Sequence, residues 1–282
     1  MKVLFVCSGN TCRSPMAEGY LNSKCIKGID AKSAGFISEG EKVSANAEAV
    51  MREIGVDISG HTSRLISKDL LMSDRIFCMG ESHKSALISA GVGADRICVL
   101  SGGISDPYGQ SIDVYRNCRD EIVNAVNDLL YGGKILPAVI VKATARDAKD
   151  ISDLEKKCFS SPWSENAVLE AMAHNTVFFK AVISGKTAGY ISVTAVAGEG
   201  YINNIAVERE KRNSGVGSLL LDRAVTFSVQ SNLEFLSLEV RESNEAAISL
   251  YKKADFKKEG TRKGFYENPR EDGIIMTRRF TV

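Results

Sequence analysis

No stretch of the chain approaches the roughly 20 consecutive apolar residues that a membrane-spanning helix needs, so no membrane partner is expected. An excess of charge of one sign is also missing. Lys+Arg 36 against Asp+Glu 35 leaves a net charge of +1, and nothing global points to direct nucleic-acid binding. Histidine is scarce, at 3, and no two of the 7 cysteines stand at C-x-x-C spacing, so no metal site is expected. The opening apolar run stops at Ser8-Gly9-Asn10, too soon for a secretory segment, which implies a cytoplasmic protein with reduced cysteines. What is present is 44% hydrophobic and 25% charged residues, an ordinary globular balance. A length of 282 residues favours two domains over one.

Short apolar runs at 2–6, 29–34, 75–79 and 96–100 read as strands, with helical patterns at 44–54, 81–90 and 111–130 between and after them. A further helix is expected from Ser14, with Pro15 at its first position. Strands alternating with helices predict βαβ units, an α/β fold and a parallel sheet. Gly132-Gly133 then supplies a helix stop. A different order follows: a strand at 138–143, helices at 147–157 and 164–173, and strands at 176–184, 187–196 and 200–207. A helix at 216–230, a strand at 233–240, a helix at 244–254 and two final strands complete it. The expected division is one domain at 1–132, a linker at 133–137 and a second domain at 138–282.

Directly after the first strand stands Cys7-Ser8-Gly9-Asn10-Thr11-Cys12-Arg13-Ser14-Pro15. Five residues between Cys7 and Arg13 let successive backbone N–H groups wrap one phosphoryl group, with a helix N-terminus aimed at the same place. A helix N-terminus and a neighbouring arginine favour the thiolate of a cysteine, which can then attack phosphorus. Arg13 suits two equatorial oxygens through its planar fork, and Ser14 can donate to the thiolate. Asp106-Pro107-Tyr108 follows a later strand, and in a parallel sheet such loops converge on the same edge. Asp106 is therefore the candidate proton donor to the leaving group.

These residues resemble the low-molecular-weight protein tyrosine phosphatases, over residues 1 to about 131. The resemblance implies Cys7 as nucleophile, Arg13 as phosphate and transition-state binder and Asp106 as general acid. Ser33-Ala34-Gly35 and His61-Thr62-Ser63-Arg64 are similar to family segments that brace the loop. Thr11 stands where tyrosine-specific members carry a bulkier aliphatic residue. With Asp106-Pro107-Tyr108-Gly109-Gln110-Ser111-Ile112-Asp113 downstream, the chain is more similar to the bacterial protein arginine phosphatases. The implied partner is a phosphorylated protein carrying phosphoarginine or phosphotyrosine, with Thr11 and Ser14 in the substrate pocket. Cys12 is either a redox partner of Cys7 or an inert loop cysteine, and Cys25, Cys78, Cys98 and Cys118 are expected in the core. Arsenate reductases share the loop but need two further cysteines close together in a mobile segment. Here Cys78 and Cys98 stand twenty residues apart in strand-like runs, which argues against that chemistry.

In the second half, Asn203-Asn204-Ile205-Ala206-Val207 ends a strand, and Arg212-Asn213-Ser214-Gly215-Val216-Gly217 opens a helix at Ser218. A basic residue and spaced glycines before a helix again make an anion site. Leu238-Glu239-Val240-Arg241 and Asn244 follow, and Tyr251 lies two turns beyond Asn244 on one helix face. This half resembles the GNAT acetyltransferases, over residues 138 to about 280, and within them the bacterial ribosomal-protein-alanine N-acetyltransferases. Phe159-Ser160-Ser161-Pro162-Trp163-Ser164 and Tyr266-Glu267-Asn268-Pro269-Arg270 carry the match further.

The resemblance implies a mixed-sheet domain that takes acetyl-CoA as co-substrate. Ile205, Ala206, Val207, Asn213, Ser214, Gly215, Val216, Gly217, Ser218 and Asn244 would hold it. Glu239 would be the base and Tyr251 the acid that protonates the departing thiolate. An α-amine pKa near 7.7–8 suits a carboxylate base, and the implied acceptor is the N-terminal alanine of a ribosomal protein. Two other readings stay open: one half serves as a non-catalytic binding module, or the acetyl acceptor is a lysine or a small amine.

Overall fold

The computed structural model describes residues 1–280. It divides into two compact units, Met1–Leu130 and Tyr131–Val282.

In chain order the first half contains β1 (Lys2–Cys7), α1 (Arg13–Ser23), β2 (Asp30–Gly35), α2 (Ala45–Glu53), the short α3 (Lys68–Leu71), β3 (Arg75–Cys78), α4 (Glu81–Ser89), β4 (Ile97–Val99) and α5 (Ile112–Tyr131). The sheet order is β2-β1-β3-β4, and every pair is parallel. β1 is flanked on both sides, which is why its sequence is a continuous apolar run with Leu4, Phe5 and Val6 fully buried. α5 buries Tyr115, Cys118, Ile122, Ala125, Val126 and Leu129, a stripe at three- and four-residue steps. Its chain exit runs through Gly133, whose φ of 72° only glycine adopts freely.

Three expectations need correction. α1 starts at Arg13, so Pro15 is its third residue rather than its first. The missing N–H costs nothing there, because the first four helical donors have no intrahelical acceptor. Cys25 and Cys98 are exposed rather than core. Cys25 lies past the end of α1 at a φ of 50°, and Cys98 sits on the edge strand β4. α3 was not visible in the pattern, because four residues are too few for a helical period.

The second half contains β5 (Val139–Lys142), α6 (Ala148–Cys158), α7 (Glu165–Ala173), β6 (Thr176–Ile183), β7 (Lys186–Val196), β8 (Glu199–Val207), α8 (Val216–Gln230), β9 (Phe235–Arg241), α9 (Glu245–Lys253), β10 (Lys257–Glu267) and β11 (Arg270–Arg279). They build a seven-stranded mixed sheet in the order β10-β11-β9-β8-β7-β6-β5. Its single parallel pair is β8 with β9, and that ladder runs only from Glu199–Phe235 to Ile202–Leu238. Beyond it both strands continue without pairing to each other, so the sheet opens between Asn203–Val207 and Glu239–Arg241. Ile151, Leu154, Val168, Phe178, Tyr190 and Ala206 form the core on one side, and Trp163 packs against it edge-on to Phe178. Among the described residues no helix is long and apolar enough to cross a membrane.

Candidate functional site

The loop between β1 and α1 is organised around Asn10, which is fully buried at a φ of 54°. Asparagine tolerates that left-handed conformation better than most residues. Its Nδ2 donates to Ser14 Oγ at 2.9 Å and Ser33 Oγ at 2.7 Å, and its Oδ1 accepts from the Arg64 N–H at 2.9 Å. His61 Nε2 lies 3.1 Å from the Asn10 carbonyl. Ser33 passes the chain on, donating to Glu18, which also accepts from Arg64. Gly35, at the end of β2, makes room: a Cβ there would meet Ser8 O at 2.6 Å and Asn10 N at 2.9 Å.

This bracing aims donors at Cys7. The Asn10 N–H donates to Cys7 Sγ at 3.2 Å, and Ser14 Oγ lies 3.0 Å from the same sulfur. Because Ser14 Oγ already accepts from Asn10 Nδ2, its own hydrogen is free to point at Cys7. The unpaired first-turn N–H groups of α1 add positive potential at the loop. Arg13 is buried, with Nη1 donating to Ile104 O at 3.1 Å and Nη2 paired to Asp106 Oδ2 at 2.5 Å. Asp106 is itself half exposed and arrives on the loop that follows β4. Cys7 thus meets Ser14 inside the loop, and Arg13 at the start of α1 meets Asp106 from the loop after β4, while Thr11 lies in the same loop with its hydroxyl 3.7 Å from Cys12 Sγ.

Cys12 is buried in the same loop, with Sγ 3.3 Å from Tyr115 OH, which also receives the Ser44 hydroxyl at 3.0 Å. Burial, and then the bond to Cys12, pushes the Tyr115 phenol up to about 12. The sulfur chemistry of an arsenate reductase finds no support in the other thiols. Cys78 is buried in the sheet and its thiol is pushed up to about 12 by burial, while Cys98 is exposed on the neighbouring strand.

The second site lies where β8 and β9 part. There Ile205, Ala206 and Val207 make no ladder bond to β9, a main-chain edge open to a ligand's amides except at Val207 O, which accepts from Arg212. The loop ahead of α8 is held by backbone acceptors: Arg212 Nε donates to Val207 O at 3.1 Å and Ser214 Oγ to Lys211 O at 2.6 Å. Asn213 and Gly215 take left-handed φ values of 62° and 88°, and Gly215 is the N-cap of α8. Val216, Gly217 and Ser218 thus present the free N–H groups of the first helical turn. These features fit a long thioester co-substrate with an anionic pyrophosphate.

Glu239 sits on β9 opposite Ile275 of β11 and just past Leu238, the last residue paired to β8, with Oε1 3.0 Å from Arg262 Nη1. Tyr251, on α9, is 4% exposed, and burial pushes its phenol above the usual value. Among the described residues its hydroxyl has no hydrogen-bond partner. Asn244 caps α9, accepting from the Ala247 N–H at 3.1 Å.

Sequence reasoning missed two polar centres besides Asn10. Glu155 is fully buried and accepts from Asn204 Nδ2 at 2.8 Å, the Trp163 N–H at 2.8 Å and the Tyr190 hydroxyl. It ties α6 to β7, to β8 and to the start of the α7 segment. Its place four residues after Ile151, on the apolar stripe of α6, was the available signal. His83 on α4 is the other, in contact with Ser8 of the phosphate loop at 2.9 Å.

Comparisons with known proteins match the two halves of the chain separately, the first match running on through β5. The model of the low molecular weight phosphotyrosine protein phosphatases matches residues 2–142, and that of the acetyltransferase (GNAT) family matches residues 148–256. A protein-arginine-phosphatase of Geobacillus stearothermophilus is 36% identical over 137 residues, covering 45% of this chain and 93% of that protein. A putative ribosomal protein bS18-alanine N-acetyltransferase of Bacillus subtilis is 33% identical over 141 residues, covering 49% of this chain and 93% of that protein. An arsenate reductase of Staphylococcus aureus is 34% identical over 127 residues, 44% of this chain and 92% of that protein.

Proposed function

Because the chain belongs to the low molecular weight phosphotyrosine protein phosphatase family through residues 2–142 and to the GNAT acetyltransferase family through residues 148–256, we propose that it is a bifunctional enzyme. It combines a cysteine-dependent protein phosphatase with an acetyl-CoA-dependent N-terminal alanine acetyltransferase. The domains are 1–132 and 138–282, joined by 133–137, in a cytoplasmic protein that binds neither membrane nor nucleic acid. The observation that carries the phosphatase reading is the Cys7 sulfur, which meets the Asn10 N–H and Ser14 Oγ inside a loop that closes on a helix N-terminus.

The chemistry follows from those contacts. The Cys7 thiolate attacks phosphorus while Arg13 and the loop N–H groups hold the non-bridging oxygens. The bond to the leaving atom breaks as Asp106 gives it a proton, leaving a phosphocysteine. Asp106, now a carboxylate, takes a proton from water as that water attacks phosphorus, and the thiolate is released. The Arg13–Asp106 pair makes both steps share one geometry, since substrate oxygens compete with Asp106 for the guanidinium. Thr11, a small polar wall 8% exposed, leaves room for a planar guanidinium and can hydrogen-bond it. The substrate favoured is accordingly a phosphoarginine protein, over phosphotyrosine. Cys12, in the same loop, is a resolving thiol for an oxidised Cys7.

In the second domain Ile205, Ala206 and Val207 receive the pantetheine amides and Asn213 to Ser218 the pyrophosphate. Acetyl-CoA supplies an activated acetyl thioester. Glu239 takes the proton of the attacking α-amine, directly or through water, and Tyr251 protonates the leaving thiolate. The acceptor favoured is the N-terminal alanine of a ribosomal protein, because an α-amine is far easier to deprotonate than a lysine amine with a pKa of about 10.4.

The test of both readings is one incubation of the whole chain with acetyl-CoA and peptide panels, followed by mass. Phosphoarginine peptides should lose phosphate with higher kcat/KM than phosphotyrosine peptides, and Thr11→Ile should move the ratio toward phosphotyrosine. A peptide with a free N-terminal alanine should gain an acetyl group, while the same peptide with a blocked terminus and an internal lysine should not. Preference for phosphotyrosine, or acetylation of the blocked peptide, overturns the corresponding assignment.

A further inference from the structure

His83 is the one described residue with a buried side-chain polar atom that lacks a hydrogen-bond partner, its Nδ1. The ring is 8% exposed and stacks on Phe36 with centroids 5.9 Å apart and planes 12° apart. Its other nitrogen, Nε2, lies 2.9 Å from Ser8 Oγ, and Ser8 directly follows the nucleophile Cys7. The Ser8 main chain is held independently, its carbonyl accepting from the Phe36 N–H at 2.7 Å and the Ile37 N–H at 3.3 Å. So the histidine is not needed to place the loop backbone; it acts on the serine hydroxyl.

Two hydrogen arrangements satisfy the Ser8–His83 contact, and they differ in what the pocket receives. In one, Ser8 donates to Nε2 and the neutral ring carries its hydrogen on Nδ1, a buried N–H with no acceptor. In the other, Nε2–H donates to Ser8 Oγ and Nδ1 keeps only a lone pair. Nδ1 lies beside Gly80, the N-cap of α4, where a Cβ would come 3.7 Å from it. Positive potential from the free N–H groups at the start of α4 suits a lone pair and disfavours an N–H. The charged groups that act on the ring are Arg13 and Asp106, one of each sign, and burial keeps the ring neutral. The second arrangement is therefore the stable one. It leaves the Ser8 hydroxyl hydrogen with no protein acceptor among the described residues, on the residue that follows Cys7 in the phosphate loop.

We infer that Ser8 and His83 are a donor pair of the phosphate pocket, in which His83 is a positioning residue that turns the Ser8 O–H toward a non-bridging oxygen of the bound phosphoryl group. The inference rests on the phosphatase reading of the Cys7 loop. The ligand chemistry it serves is any phosphoryl dianion, so its effect is common to phosphoarginine and phosphotyrosine substrates, unlike that of Thr11.

The test is a double-mutant cycle on the full chain, reading kcat/KM on a phosphopeptide and inhibition by inorganic phosphate. Ser8→Ala should lower kcat/KM by about 10- to 100-fold, the range for a hydrogen bond to a charged group, and weaken inhibition by phosphate. His83→Leu should do the same, by a similar factor on both readouts, and His83→Gln, which keeps a neutral N–H donor, should recover most of the loss. In the Ser8→Ala background His83→Leu should add nothing further. Full additivity of the two substitutions, or a Ser8→Ala variant that binds phosphate like the wild type, overturns the inference. If the wild type cleaves no phosphopeptide, it is the phosphatase reading that fails. The pair is then judged by phosphate binding alone, where unequal effects of Ser8→Ala and His83→Leu overturn it.

Discussion

Two loops in this chain each end a strand, open a helix and offer backbone N–H groups to an anion, yet they are built from opposite materials. In the loop at Cys7, Asn10, Arg13 and Ser14 are at most 7% exposed and are locked by side-chain contacts to Ser33, Arg64 and Asp106. In the loop before Gly215, Arg212, Asn213 and Ser214 are exposed, and Arg212 and Ser214 hold to main-chain carbonyls. The difference follows the work proposed for each. On that reading the reacting atom of the first loop belongs to the loop itself, so sulfur, arginine and acid must be fixed against one another. The second loop would grip a remote phosphate, with the reacting groups on β9 and α9. A grip needs N–H groups and little else.

That contrast sets the expected sizes of mutational effects. The largest is Asp106→Asn, which should lower phosphatase turnover by about 10²- to 10⁴-fold, the usual contribution of a general acid. The loss should shrink for substrates whose leaving groups need no proton, measured by turnover against leaving-group acidity. An equal loss for all substrates would assign Asp106 to holding Arg13 instead.

Next comes the bracing. Asn10→Ala takes the acceptor from the Arg64 N–H and one partner each from Ser14 and Ser33 in a buried site, and should cost about 3 kcal/mol of unfolding free energy. Ser214→Ala, at an exposed loop, should stay within about 0.5 kcal/mol. Denaturant midpoints of the two variants check this, and comparable losses would erase the distinction between the loops.

A smaller effect is pH-dependent. Burial holds both His61 and His83 below their ordinary value of 6.5, against the opposing pull of Glu18 on the former. The unfolded chain therefore takes up protons first as pH falls. Stability of the first unit should be level above about 6.5, decline as pH falls below it, and level off again, as far as these two groups are concerned, below the depressed folded-state values. His83→Gln should flatten part of that decline in a pH series of melts.

The smallest effect concerns thiols that touch neither reaction. Exposed Cys25 and Cys98 should be alkylated at pH 8 well before Cys78 and Cys118, whose thiols burial holds near 12. Peptide mapping after brief iodoacetamide treatment reads the order.

How much of this was legible in the sequence depended on the range of each interaction. β1 announced itself because a central parallel strand is apolar on both faces, and α5 because its stripe repeats over twenty residues. The helix at 216–230 was legible from its pattern, although the loop reading opened it at Ser218 and the structure opens it at Val216, directly after the N-cap Gly215. The Cys7, Arg13 and Asp106 set was readable because two of the three lie within one loop and the third follows a strand of the same sheet. Long-range polar partners were legible only through resemblance: the segments at Ser33 and at His61 to Arg64 were expected to brace the loop, and they do so through Asn10, whereas nothing near Glu239 reveals Arg262. Glu155 and His83 were visible only as polar residues on apolar helix faces, a sign that something meets them but not what. The misplacement of Cys25 and Cys98 shows the converse: an element's apolar pattern says little about residues at its end or at a sheet edge.

The central claim is that the chain carries two separate chemistries, each with its own reactive residue. It is tested most directly by assaying Cys7→Ser and Glu239→Gln, as full chains, for both phosphopeptide hydrolysis and acetylation of an alanine-terminated peptide. Cys7→Ser should abolish hydrolysis and keep acetyl transfer, while Glu239→Gln should keep hydrolysis and lower acetyl transfer most below the amine pKa, where the acceptor is mainly protonated. Hydrolysis that survives Cys7→Ser, or acetyl transfer indifferent to Glu239→Gln, would contradict the account.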